Sequence, residues 1–397
     1  MAHGICAQCA SLRIDLRRAR RCALHHKGPV ADVSRREAFD LLCGLLSVDE
    51  SPELRERLGH TLRSGAVSWP DVVAIASEQW VSAAVWPALR RKSLRGDQSR
   101  EAMDYFEGMA TLNRQRNSKL RAEAIELAAF LNRLDVTPIF LKGSANLLSD
   151  LYPDPAMRIM LDLDVLVPPS RVGACAEALQ KAGYVQLGDV GFPAHHHYPP
   201  LGRPDAEASV ELHIDPLDIE FRRFLSFEDV SRHAVTMAID GARLAVPTTW
   251  CRLVHGVAHT QFVNHAFAYG HLPLRDLLDS ALLSRSGPVD WDAVVARFST
   301  RSASRMLAFQ FTAARQLLGG DIPEHMSSMP LDGMLFKRAL FQIAHPPIPL
   351  WIERLLRPFF LLRRSLSHGA LRRRLARNLF DPAWYRRQWR MVRQSGR

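Results

Sequence analysis

The chain has 397 residues, 47% of them hydrophobic and 23% charged, with a formal net charge of +11. Its length suits two or three domains, and its near-average composition excludes collagen-like, mostly disordered and disulfide-stapled miniature proteins. No run of eighteen uncharged apolar residues occurs, so a membrane-spanning helix is not expected. The Arg-rich first thirty residues also lack the apolar stretch of a secretory signal.

The charge is unevenly placed. Residues 351–397 hold 13 Arg, no Lys, and only Glu353 and Asp381 as acids. Residues 1–350 balance at 39 basic and 39 acidic groups, and the span 38–350 within them carries −5. A basic end of this kind attracts nucleic acid, an acidic membrane surface or an acidic partner, unless it docks on the protein's own acidic body. Cysteines stand at 6, 9, 22, 43, 175 and 251. Most are scattered singly, which fits reduced thiols in a cytoplasm. Cys6 and Cys9 with Cys22 and His25 or His26 have partial zinc-ligand spacing, although no second close pair completes it.

In chain order, 1–37 reads as a flexible basic leader. Residues 38–134 read as helical: Ala38, Leu41, Leu42, Leu45 and Leu46 recur at helix spacing, as do Ile125, Leu127, Ala128, Phe130 and Leu131. The stretch 135–248 reads as a compact α/β unit. Val136–Leu141 is a short buried strand ending at Gly143, and 144–151 is a short helix broken by Pro153 and Pro155. Ile159–Val167 is a second strand, 171–182 a helix stopped by Gly183, and Tyr184–Leu187, a stretch near 195–199 and Ala208–Ile214 are further strands. Residues 249–345 read as helical and closing a cleft. The tail, 346–397, carries an apolar stripe of Trp351, Ile352, Leu355, Leu356, Phe359 and Phe360, with Arg354 and Arg357 on the other side and Pro358 expected to kink or stop the helix.

Three pieces of the α/β unit bear chemistry. Lys142-Gly143-Ser144 stands at a strand-to-helix turn, where glycine lets a phosphate approach and a new helix offers free N–H groups. Asp162 and Asp164 lie at i and i+2 of an apolar strand, so both point to one face. Two such carboxylates repel and lose solvation unless a cation sits between them, and hard oxygen ligands suit Mg2+ or Mn2+. Glu211, in Val210-Glu-Leu-His213, would complete a three-carboxylate site for two-metal phosphoryl chemistry if its strand adjoins the first.

These residues carry a resemblance. Leu141-Lys-Gly-Ser-Ala145, Leu151-Tyr-Pro153, Arg158, Asp162-Leu-Asp-Val-Leu-Val167, Gly183-Tyr184 and Val210-Glu-Leu-His213 look like the uncharacterised nucleotidyltransferase family of the polymerase-β superfamily. The likeness extends over about 120–285, through Leu274-Arg-Asp-Leu-Leu-Asp279. It implies an α+β fold with a polymerase-β-like core of mixed sheet and helices, flanked by helical regions. By position it assigns Gly143 and Ser144 to a phosphate-binding turn, Asp162 and Asp164 to metal binding, and Glu211 to a third ligand or general base. Lys142 and Arg158 would face the triphosphate, and the role of His213 stays open. Minimal members of the superfamily place the first acid roughly ten residues after Gly-Ser, whereas seventeen residues separate Ser144 from Asp162 here, as in the longer-looped subfamily.

The expectation is therefore a metal-dependent enzyme moving NMP, AMP from ATP foremost, onto an unknown acceptor hydroxyl or phosphate. The alternatives are a non-catalytic adaptor that binds nucleic acid or membrane through its tail, and a toxin-type nucleotidyltransferase acting on tRNA. Other groups read as less specific. His195-His-His197, beside Pro199, suggests an irregular strand near the site rather than a metal ligand set. His255 and His259 are spaced i, i+4 but lack an HExxH glutamate and read as packing or substrate-facing. Arg275 could pair with Asp276 or Asp279 and close one side of the cleft. Trp384, Tyr385 and Trp389 interleave with arginines in the tail, a pattern suited to a nucleic-acid backbone or a membrane interface.

Overall fold

The computed structural model describes residues 31–65, 68–94, 99–188, 195–327, 330–367 and 381–382. The candidate zinc group at Cys6, Cys9, Cys22 and His25/His26 lies outside these residues, as do Trp384, Tyr385 and Trp389. The chain divides into two units, Met1–His345 and Pro346–Arg397.

In the larger unit five helices come first: α1 (Ala31–Leu46), α2 (Pro52–Arg63), α3 (Trp69–Glu78), α4 (Ser82–Arg91) and α5 (Arg100–Asn132). The first begins within the expected leader, and its predicted core face is real: Ala38, Leu42, Leu45 and Leu46 are wholly buried. Ser51 and Ser99 cap α2 and α5 by accepting the amides of Leu54 and Ala102. The 33-residue α5 leads into the sheet unit, where Leu120, Leu127 and Leu131 join the same core as Phe140, Leu163 and Leu212.

Then follow β1 (Ile139–Phe140), α6 (Lys142–Leu148), β2 (Asp162–Leu166), α7 (Val172–Lys181), β3 (Val185–Gln186), β4 (Leu201–Gly202), β5 (Ser209–His213), α8 (Phe227–Arg232), β6 (Ala234–Ile239) and β7 (Ala242–Pro247). The seven strands form one mixed sheet in the order β3-β4-β5-β2-β1-β7-β6. Strands β2 and β5 run parallel at its centre, β1 lies antiparallel to β2, and β7 runs parallel to β1. The stretch near 195–199 is not a strand: within it only His197 bridges, to His213, because Pro199 and Pro200 withhold ladder donors. The β6–β7 hairpin went unread in the sequence. Asp240 and Gly241 both take positive φ, 48° and 79°, the conformation of a tight two-residue hairpin turn.

Helices α9 (Thr249–Ala258), α10 (Ala266–Tyr269), α11 (Leu274–Arg285), α12 (Trp291–Arg297), α13 (Arg301–Leu318) and α14 (Pro330–Ala344) complete the unit. They pack back on the N-terminal helices, where the Val48 amide donates to the Leu318 carbonyl at 2.8 Å and Arg285 donates to the Val48 carbonyl. One apolar core joins Phe39, Leu45 and Ile75 to Phe309 and Phe311. Buried Cys43, Cys175 and Cys251 are free thiols. Among the described residues no single helix is long and apolar enough to cross a membrane.

The smaller unit contributes α15 (Pro347–Ser367), which runs through Pro358 instead of stopping there. Trp351, Leu355 and Phe359, four residues apart along one face, are 61, 74 and 59% exposed.

Candidate active site

The central parallel pair sets the site. Register places Asp162 opposite Ser209 and Asp164 opposite Glu211, so the second and third acids stand side by side on one sheet face. Asp164, Glu211 and His213 bring ligand atoms within 4.8 Å of one another. Apolar neighbours on the strands, Leu163, Val165, Val210 and Leu212, are buried in the sheet core and fix this register, since a one-residue slip would turn the acids inward.

A lysine holds this group together. Lys142 Nζ lies 2.7 Å from Asp164 Oδ1, and His213 Nε2 lies 2.9 Å from the same oxygen. His213 Nε2 is also 3.7 Å from Glu211 Oε2. Burial penalises the Asp164 carboxylate, but the Lys142 ammonium and the His213 hydrogen bond outweigh it and hold the group well below the usual range. The same partnership raises His213 above its ordinary value despite burial. Asp162 gains less: desolvation and the adjacent Asp164 charge push it up to about 6. Burial resists ionisation of Glu211 too, yet the neighbouring His213 imidazole brings it below normal.

The turn before α6 differs from the expectation in detail. The strained residue is Lys142, at φ 48°, not the glycine. A Cβ at position 143 would sit 2.8 Å from Met160 Sδ, so glycine serves close packing of α6 against the segment entering β2. Ser144 is buried, and its hydroxyl accepts the Asp164 amide at 3.2 Å, which ties the turn to the acid strand.

Lys142 also lines an adjoining cleft, together with Arg158, Arg252, His255, His259 and Arg275. Arg158 is committed elsewhere than to solvent. Its guanidinium contacts both oxygens of Asp279, with Nη2 2.8 Å from Oδ2, and Asp279 further accepts from Tyr152 at 2.6 Å and Asn146 at 2.7 Å. This buried hub joins α11 to the loop between α6 and β2. Arg275 pairs instead with its neighbour Asp276, at 3.2 Å. Sequence reasoning missed Arg252. It donates to Asn146 Oδ1 at 2.6 Å, its Nε is buried with no hydrogen-bond partner, and burial brings its guanidinium down to about 10. Nothing local in Trp250-Cys-Arg252 distinguished it from a surface arginine. His255 and His259 reach the cleft as substrate-facing residues would, and burial holds both below the ordinary histidine range.

Comparison with known proteins places this geometry. The match to the family described as "Uncharacterised nucleotidyltransferase" covers residues 65–319. The chain belongs to that family. No curated protein and no solved structure matches it. Membership agrees with the sequence resemblance and makes transfer of a nucleoside monophosphate the chemistry to consider for this site.

Proposed function

We propose that the protein is a metal-dependent nucleotidyltransferase that moves NMP from an NTP, ATP being the first to test, onto an acceptor hydroxyl or phosphate. The observation that carries this reading is the register of Asp164 with Glu211 on the face that also presents Asp162, beside the cleft lined by Lys142 and Arg252. The donor set fits a divalent ion: the carboxylates of buried Asp164 and half-buried Asp162 and Glu211 outnumber the local cations, and Lys142 Nζ occupies hydrogen-bond distance of Asp164 as a positive counter-charge. Asp162, Asp164 and Glu211 would hold Mg2+ or Mn2+, which supplies charge neutralisation at the phosphates and lowers the pKa of a bound hydroxyl.

The chain's own groups then have defined tasks. Lys142 and Arg252 bind phosphate oxygens on the cleft side, with Gly143 and Ser144 setting the turn that aims Lys142. Arg158 holds the cleft wall through Asp279. Glu211 accepts the proton of the acceptor as its oxygen attacks the α-phosphorus; the bond from that phosphorus to the bridging oxygen breaks, and pyrophosphate leaves. Positioning and preorganised charge supply most of the acceleration such chemistry needs.

The test is equilibrium binding of labelled ATP with Mg2+ to the full chain and to the Asp162→Asn/Asp164→Asn variant, followed by an acceptor screen. Metal-dependent nucleotide binding lost in the variant supports the reading. A wild type that binds neither nucleotide nor metal leaves the adaptor reading in its place. For the Arg-rich end, exposed Trp351, Leu355 and Phe359 beside Arg354 and Arg357 favour an anionic lipid surface. Removing 346–397 then abolishes co-sedimentation with phosphatidylserine vesicles and leaves nucleotide binding intact; unchanged sedimentation would reject it.

A further inference from the structure

Beside the carboxylates lies a second cluster of ligand type. The rings of His195, His196 and His197 pack with centroids 4.3 to 4.9 Å apart, and one ligand atom from each falls within 4.8 Å of the others. Separations around a tetrahedral ion are about 3.3 Å, given metal–nitrogen bonds of about 2.0–2.1 Å, so modest ring rotations close the difference. Three consecutive histidines in an extended strand would splay to alternate faces. Here the segment is irregular, tied by the His197–His213 bridge and by the Ile214 amide donating to the His196 carbonyl at 2.8 Å.

Two of the rings are already oriented as ligands. His196 Nδ1 lies 2.5 Å from Asp218 Oδ1, and His197 Nδ1 lies 2.7 Å from the Tyr198 carbonyl oxygen. A metal-bound histidine commonly donates its other N–H to a carboxylate or backbone carbonyl, which fixes the tautomer and leaves Nε2 for the ion. Asp218 is a buried acid, 5% exposed, with His195 Nε2 a further 3.9 Å away. Imidazole-rich sets of this kind suit Zn2+, Co2+ or Ni2+, not Mg2+.

We propose that His195, His196 and His197, with Asp218 orienting His196, form a binding site for a divalent transition-metal ion distinct from the carboxylate centre. His197 Nε2 is 3.7 Å from Glu211 Oε2, so the bound ion adds positive charge at the edge of that centre. This site stands on its own geometry and survives even if the protein transfers no nucleotide.

Full-length protein freed of metal by chelator dialysis is titrated with Co2+, followed by visible absorption, and with Zn2+ in competition against a chromophoric chelator. Wild type takes up Zn2+ and shows cobalt bands of imidazole ligation. His195→Ala/His196→Ala weakens Zn2+ at least about 100-fold, and Asp218→Asn weakens it about 10–100-fold. Asp162→Asn/Asp164→Asn keeps the wild-type Zn2+ affinity within a factor of about three. The inference is overturned if wild type shows no imidazole-ligated cobalt at micromolar metal. It is equally overturned if Zn2+ binding is lost in the aspartate variant but kept in the histidine variant. The wild-type cobalt spectrum decides the matter even if a histidine variant fails to fold.

Discussion

Replacing Asp162 by asparagine should make the metal-free protein more stable. The carboxyl is pushed up from 3.8 to about 6 by burial and by the charge of Asp164. At about 1.36 kcal/mol per pK unit, ionised Asp162 costs the folded state up to about 3 kcal/mol at pH 8. Asparagine is nearly isosteric and removes that cost. Taking an unfolding entropy of about 2.1 cal/mol/K per residue over the larger unit, the gain corresponds to a rise of ~4 °C in Tm. The sign of the pH dependence follows. Because the folded pKa lies above the unfolded one, the folded state takes up the proton first, and the Asp162 contribution to wild-type stability rises as pH falls from 7 through 6 towards 4. The advantage of the variant should therefore be full at pH 8 and shrink towards zero near pH 4. Thermal melts in EDTA across this range measure it. Adding Mg2+ should reverse the order, since only the wild type retains both strand acids to bind the ion that stabilises it. An Asp162→Asn protein that melts below wild type in EDTA at pH 8 would refute the claim that ionised Asp162 opposes folding.

The Asp279 hub gives the opposite result. Asp279→Leu leaves buried Arg158 without its carboxylate and orphans the Tyr152 and Asn146 donors, so chemical denaturation should show a loss of about 3–5 kcal/mol, much of it recovered by adding Arg158→Met. Arg252→Ala should raise the apparent Kd for ATP about tenfold or more, with a Tm change under ~2 °C, because its guanidinium lines the cleft and its Nε has no hydrogen-bond partner among the described residues. Equal affinity for ATP in wild type and variant would remove Arg252 from the phosphate side of the cleft.

The acid strand was legible because its pattern is self-contradictory as a plain core strand. Apolar Leu163 and Val165 demand burial, while Asp162 and Asp164 on the other face are poor residues to hold in an apolar setting without a counter-charge. The same held for Glu211, whose strand carries buried Val210 and Leu212. Register between the two strands could not be read, since it depends on long-range pairing. Other features were present but local in disguise. Asp240-Gly241 between alternating apolar runs is a strong local hairpin signal. Gly143 reads from the sequence as a phosphate turn; its close contact with Met160, seventeen positions away, is one that no local pattern connects with it. Arg252 and Asp279 acquire meaning only when α9 and α11 fold over the loop before β2. Pro358 was read by its local rule, and α15 continues through it.

Lys142 shows what the arrangement costs and why it persists. A non-glycine residue in the left-handed region costs of order 1–3 kcal/mol, so its surroundings must over-determine it. Here they do: the preceding Leu141 amide donates to the Asp164 carbonyl at 3.0 Å, and the lysine side chain reaches Asp164 at 2.7 Å. Glycine at 142 would relieve the backbone strain but discard the counter-charge, leaving Asp164 with His213 alone against burial. Asp164 would then titrate higher, and the face would carry two reluctant acids rather than one. The strain at Lys142 and the raised Asp162 are therefore two consequences of one requirement: a concentration of negative charge on one sheet face, balanced by the Lys142 ammonium and His213.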